Sequence, residues 1–338
     1  MYSDYPLVSI VITSYNRAGM IGTAIESALA QDYPNFEVII TDNCSQDNTT
    51  EVVSKYLADK RVKFFQNEEN IGMIPNFKKG IEDLSEGEYF VNLCSDDVLA
   101  KKDFISQAIG LVKQYPDVTI VRGRNQSVNQ DSGKVTPDDG KMFQEEFVKG
   151  EDFFLQCDGN ENFGWEGVML HRGTLNSLDV FSNSYSGFDK SSNLALLLYG
   201  NICLINEICY SFIVHSNSFS FNPSAQTSID NFRMVEFPYE QAKKKGLIDR
   251  QKLELWRKKF ILNLSTKAAR ALFIRDKKEF RQFVDKVQDD YGINEKELRK
   301  GVKTRFDYAL FRYPIIGKTL TRFLKMFTKV TNTIMGKR

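Results

Sequence analysis

The chain has 338 residues, 42% of them hydrophobic and 26% charged, with a formal net charge of +1. This is the make-up of a globular protein with one large or two modest domains, and it excludes a collagen-like, low-complexity or disordered chain. No segment approaches the ~18 apolar residues that a membrane span needs, and the run Val8–Ile12 is too short for a signal-peptide core, so neither spanning nor export is expected. Five cysteines without a CxxC pair, and only two histidines (His171 and His215), do not supply the four clustered ligands of a structural zinc site. They suit free thiols in a reducing cytoplasm.

In chain order, Val8–Thr13 is a β-branched run of the kind that forms a strand buried on both faces. A helical stretch over 20–30 follows. A strand over Glu37–Thr41, a helix over 48–56, a strand over Val62–Gln66, a helix over 74–84 and a strand over Tyr89–Leu93 come next. Such alternation predicts a mostly parallel sheet flanked by helices, with ligands beyond the carboxyl ends of its strands. Residues 127–149 are polar and turn-rich and read as a loop or hairpin. A boundary is expected near 222–230, giving an α/β domain over 1–225 and a helical region over 226–338. Asp276 to Glu279 and Asn294 to Glu297 both have the spacing of capping boxes.

Four acidic residues stand out. Asp42 follows the second strand and can accept from a nucleobase N–H, or serve as an ordinary turn residue. Asp47 and Thr49 read as caps of the next helix. Asp96-Asp97 closes the fourth strand, and adjacent carboxylates repel unless a cation sits near them. Hard oxygen ligands of this kind suit Mg²⁺ or Mn²⁺ on a diphosphate; a solvated turn is the alternative, against which the place after a parallel strand weighs.

Taken together, Val8-Ser-Ile-Val-Ile-Thr-Ser-Tyr-Asn-Arg17, Ser27-Ala-Leu-Ala-Gln-Asp-Tyr33, Thr41-Asp-Asn-Cys-Ser-Gln-Asp-Asn-Thr49, Asn70-Ile-Gly72 and Ser95-Asp-Asp97 resemble the N-terminal half of family 2 glycosyltransferases of the GT-A fold. The resemblance is strong over 7–125, weaker to 220, and absent beyond. It implies an inverting transfer from a nucleotide-sugar donor, usually a UDP- or dTDP-sugar. It places Thr13, Tyr15 and Arg17 around the nucleotide, Asp42 on the base, Asp96 on the ribose and Asp97 on the metal. Asn76 lies where the family often has an Arg-Asn pair near the donor, but Pro75 replaces that Arg. Thr13 stands where Pro is usual and Cys94 where a further acid is common.

The family's base lies in a Glu-Asp pair ahead of an apolar helix and a Gly. Here Gly187-Phe-Asp189 precedes Leu194-Ala-Leu-Leu-Leu-Tyr-Gly200, so Asp189 is expected as the base, with Phe188 in place of Glu. Asp189 as a simple helix cap, and Asp179 as the base, are the competing readings. His215 matches a family His that approaches the metal or diphosphate, or is a hydrogen-bonded histidine at a strand end. Trp165 and Glu166 line an acceptor cleft, or Trp165 is core.

The last 40 residues, Arg299–Arg338, hold 11 Lys/Arg against one acid, Asp307, leaving 34 basic and 43 acidic residues in the rest. Within 313–338, apolar Ile316, Leu320, Phe323, Leu324, Phe327, Val330 and Ile334 recur at helical spacing beside Lys318, Arg322, Lys325 and Lys329. A basic amphipathic helix suits an anionic membrane face, and equally a second subunit; nucleic acid is not an expected partner. The expected enzyme is therefore cytoplasmic, at or near the inner membrane face. It adds single sugars to a lipid-linked glycan, surface polysaccharide or glycoprotein acceptor. A silent nucleotide- or glycan-binding module and a nucleotidyltransferase are the rival readings.

Overall fold

Val8–Ser14 forms the first strand, β1, and all but one of its residues are buried, as its β-branched composition requires. The computed structural model describes residues 5–300, apart from 116, 162, 183, 184, 186, 216–224 and 276. Helix α1 (Ile21–Leu29) buries Ile21, Ala24, Ile25 and Ala28, the one-sided spacing of a helix lying on a sheet. Strand β2 (Phe36–Asp42), helix α2 (Thr49–Ser54), strand β3 (Val62–Gln66) and helix α3 (Met73–Lys78) follow. α3 runs on into a π-helical turn, Lys79–Leu84, before strand β4 (Tyr89–Cys94). The alternation read from the sequence is thus the one observed.

Beyond β4 come β5 (Val98–Leu99), α4 (Phe104–Gln114), β6 (Val118–Asn129), β7 (Val135–Pro137), β8 (Phe147–Val148) and α5 (Gly150–Gln156). Then follow β9 (Val168–His171), α6 (Arg172–Ser177), α7 (Phe188–Leu196) and β10 (Asn201–Val214). The sheet runs in the order β3-β2-β1-β4-β9-β6-β10-β5, with β7 on β6 and β8 on β10. β1, β2, β3 and β4 are mutually parallel, and β9 lies antiparallel between β4 and β6. Ile10, Ile12, Ile21, Ile25, Ile40 and Phe104 are wholly buried between this sheet and its helices. In the stretch expected as a loop or hairpin, β6 continues to Asn129 and pairs antiparallel with β7.

The described chain divides into two compact units. The first comprises the described residues of 5–156, 161–215 and 237–249; the second holds those of 157–160, 225–236 and 250–300. The second unit is helical: α8 (Ala225–Asp230), the first turn of α9 (Arg233–Lys245), α10 (Arg250–Arg275), α11 (Lys277–Tyr291) and α12 (Glu295–Lys300). Phe232 meets Phe283 and Tyr291 at its core, and Arg257 forms a fork on the Glu236 carboxylate at 2.8–3.1 Å. Asn294 and Glu297 cap reciprocally: each side chain accepts from the other's backbone N–H, at 3.0 and 3.1 Å. Asp276, which opens the other expected capping box, and the basic tail over 313–338 lie outside the described residues.

No disulfide joins the five cysteines. Among the described residues no helix is long and apolar enough to cross a membrane.

Candidate active site

The register levels the carboxyl ends of the parallel strands. Thr13 faces Thr41 on one side and Cys94 on the other, and Ser14 faces Asp42. Two loops leave this rim and are stitched together. Asn16 N–H donates to Ser45 Oγ at 2.7 Å, Gln46 N–H to Asn16 Oδ1 at 2.8 Å, and Arg17 N–H to Thr49 Oγ1 at 3.0 Å. Asn16 and Cys44 take left-handed backbone conformations, φ 53° and 63°, to make these turns. Asp47 accepts from the Thr49 and Ala18 N–H groups and so ties the two loops, but the cap position of α2 falls to Asn48, with Thr49 the first helical residue, so neither expected cap holds that position. Tyr15 projects from the rim and is 42% exposed.

Asp42 is completely buried. Its carboxylate accepts from Ser45 N–H at 2.8 Å, from Gln66 Nε2 at 3.1 Å and from the Ser45 hydroxyl. Asn76 is also buried. Its amide donates to the Thr41 carbonyl at 3.1 Å and accepts from Asn67 at 2.8 Å, so both ends brace the β2 rim rather than open toward a ligand.

Asp96 and Asp97 differ sharply in surroundings. The Asp96 carboxylate is partly open and takes Arg17 Nε at 3.2 Å and His215 Nε2 at 3.0 Å. Asp97 is 1% exposed; one oxygen accepts from the Tyr210 hydroxyl at 2.7 Å, the other from Ile213 N–H at 2.8 Å. Burial, reinforced by the neighbouring Asp96 charge, pushes its carboxyl up to about 8. Burial likewise holds the Cys94 thiol well above its ordinary range. The ligand atoms of Cys94, Asp96 and Asp97 lie within 4.8 Å of one another, and His215 adjoins them through Asp96. Two carboxylates, one of them raised by burial, with an imidazole alongside, are a donor set that fits a divalent cation.

A second acidic centre forms around Gly164. Trp165 is 3% exposed and meets Phe77, Phe90, Phe181 and Phe188 with ring centroids 5.0–6.0 Å apart, while its indole N–H donates to Ser192 Oγ at 2.9 Å. It is a core residue with no ring face open to a sugar, which corrects its expected place in an acceptor cleft. Packing Trp165 against Phe188 brings the next residue of each segment, Glu166 and Asp189, to the same place. A Cβ on Gly164 would lie 2.3 Å from Glu166 Oε2 and 2.6 Å from Asp189 Oδ2. Asn193 Nδ2 fixes this loop to α7 by donating to the Phe163 and Gly164 carbonyls at 3.0 and 2.9 Å.

Gly187, at φ 84°, occupies the cap position of α7, and Asp189 lies in the first turn without capping the helix. Burial, with the Glu166 charge added, raises the Asp189 carboxyl to about 6. Asp179, the competing base, is an exposed turn residue at φ 49° whose carbonyl accepts from Ser182 N–H. Tyr210, Ser45, Gln66 and Gly164 went unread in the sequence. Tyr210 and Gln66 act through contacts with no local spacing rule, Tyr210 and Asp97 being 113 positions apart and Gln66 and Asp42 24.

A crossover sheet with acidic groups at its carboxyl rim is the architecture of GT-A nucleotide-sugar folds. The fold matches the crystal structure of S. aureus TarS 1–349 in complex with UDP-GlcNAc at a TM-score of 0.69 and 18% identity, over 92% of this chain and 88% of that one. It also matches the mannosyltransferase PcManGT from Pyrobaculum calidifontis in complex with GDP-Man and Mn²⁺, with a TM-score of 0.53 and 15% identity over 99% and 89%. Residues 9–165 match the model of glycosyl transferase family 2. The likeness to that family thus covers a little under half of the chain. The putative teichuronic acid biosynthesis glycosyltransferase TuaG of Bacillus subtilis (strain 168) is 36% identical over 105 residues, 31% of this chain and 41% of that protein. The chain thus aligns with less than half the length of that relative.

Proposed function

We propose that the chain transfers one sugar from a nucleotide-sugar, with inversion, to a hydroxyl of a glycan acceptor. The observation that carries this reading is the pairing, in one fold unit, of a rim acid cluster at β4 with a separate, elevated carboxylate at α7. The first is suited to a diphosphate with its cation, the second to proton abstraction.

Asp42, held by Ser45 and Gln66, reads the base; Arg17 and Tyr15 line the nucleotide, and Thr13 forms the strand end beneath it. Asp96, the more open of the two acids, would hold the cation with His215, while Asp97 braces the cluster through Tyr210. Mg²⁺ or Mn²⁺, when bound there, offsets the charge that develops on the leaving diphosphate. Asp189 takes the proton from the acceptor hydroxyl as its oxygen bonds to the anomeric carbon. The bond from that carbon to the diphosphate oxygen breaks, and the nucleoside diphosphate leaves with the electron pair. A UDP-sugar is the donor favoured by the TarS likeness, and a bacterial surface glycopolymer the acceptor class favoured by TarS and TuaG. The basic tail over 313–338 would hold this cytoplasmic enzyme at an anionic membrane face or on a second subunit.

Calorimetric titration with UDP and UDP-sugars tests the nucleotide half of this reading. Asp42→Ala is expected to weaken binding by about 1.5–3 kcal/mol, the worth of a hydrogen bond to a charged group. Unchanged affinity would remove Asp42 from the nucleotide site.

A further inference from the structure

Glu166 has one carboxylate oxygen, Oε2, that is buried with no hydrogen-bond partner among the described residues. A buried acceptor left unpaired costs free energy, so its placement calls for a reason. That oxygen and Asp189 Oδ2 converge on one point above Gly164, 2.3 and 2.6 Å from where a Cβ would sit. Phe188, where a Glu-Asp pair would have its Glu, is instead buried in the aromatic cluster and packs on Trp165. The acid missing from the position before Asp189 is thus matched in space by an acid following Trp165.

We infer that Glu166 is a positioning residue for the base: its carboxylate, set against Asp189 across Gly164, keeps Asp189 a strong proton acceptor during sugar transfer. The inference rests on the reading of Asp189 as the base. Like charges at this separation favour the state in which one of the two is protonated. The proton taken from the acceptor hydroxyl therefore settles on Asp189 with the Glu166 charge stabilising it there, and no further proton or electron is needed. Lys190 follows Asp189 and opposes the effect of Glu166 on it, while Arg122 donates to the Gly164 carbonyl at 3.2 Å and holds the loop from below. On the β4 side the Glu166 charge also raises Asp97, Cys94 and Tyr210.

The test is the pH profile of kcat/KM for donor turnover in the full chain, with Glu166→Gln as the isosteric variant. The acid limb of the variant is expected to move to lower pH by on the order of half a unit to one unit, because the neighbouring negative charge is gone. Its plateau rate should fall several-fold, because a weaker base accepts the proton less readily. Glu166→Asp should restore part of the wild-type midpoint. Gly164→Ala, which drives a methyl between the two carboxylates, should lower the plateau at least ten-fold while donor KM stays within about two-fold of the wild-type value. A midpoint that does not move in Glu166→Gln overturns the inference, whether or not the rate falls, since a merely structural role changes rate without changing titration. Failure of the underlying reading looks different: Asp189→Asn would then keep its rate and its acid limb.

Discussion

Asp189→Asn is expected to lower the rate of sugar transfer by about 10²–10⁴ while leaving affinity for the nucleotide-sugar near the wild-type value. Asn keeps the shape of the side chain and its place in the first turn of α7 but cannot accept a proton. The wild-type rate should rise with pH through about 6 and level off above it, because Asp189 acts only when ionised and burial with Glu166 has raised its carboxyl to about that value. The sign for stability is opposite. An acid raised on folding binds its proton more tightly in the native state, so the stability it contributes is present at low pH and is lost as pH rises through about 6. Above that pH Asp189→Asn should therefore melt no lower than the wild type. A fall in Tm together with lost activity would mark Asp189 as structural; a wild-type rate would return attention to Asp179.

Loss of the rim carboxylate should be as severe. Asp96→Ala removes the acid that His215 and Arg17 both meet, at 3.0 and 3.2 Å, and leaves two basic side chains facing each other without their shared partner. Turnover is expected to vanish, and Mn²⁺ affinity followed by calorimetry should fall by at least ten-fold. EDTA should reproduce the loss in the wild type, and added Mn²⁺ or Mg²⁺ should reverse it. Asp97→Asn should act differently. It breaks the arrangement in which Tyr210 and Ile213 each donate to one oxygen, so its first effect is a lowered Tm. Full metal affinity in Asp96→Ala with complete loss in Asp97→Asn would exchange the two roles.

The half of the site nearest the N-terminus was legible because its geometry is local. A β-branched run, a turn and an acid at the strand end place Asp42 and Asp96-Asp97 at the same rim in any parallel sheet, and the register confirms that levelling. Asn294 and Glu297 were legible for the same reason, since a cap is complete within four residues. What escaped depends on contacts between distant segments. β9 enters the sheet antiparallel between β4 and β6, which no periodicity announces. Asn76 was read toward the donor but spends both ends of its amide on Thr41 and Asn67. Trp165 was read as core or cleft, and only the four aromatic rings around it decide for core. The same packing sets Glu166 beside Asp189, although 22 residues lie between them in the sequence.

Release of nucleoside diphosphate from a panel of UDP-, dTDP- and GDP-sugars, in Mn²⁺ and again after chelation, decides whether the chain is a sugar transferase. Release is expected from one donor class, abolished by EDTA and in Asp96→Ala. Saturable binding of no nucleotide-sugar and release from none would contradict it. Pyrophosphate released from a nucleoside triphosphate and a sugar phosphate would replace the transferase with a nucleotidyltransferase.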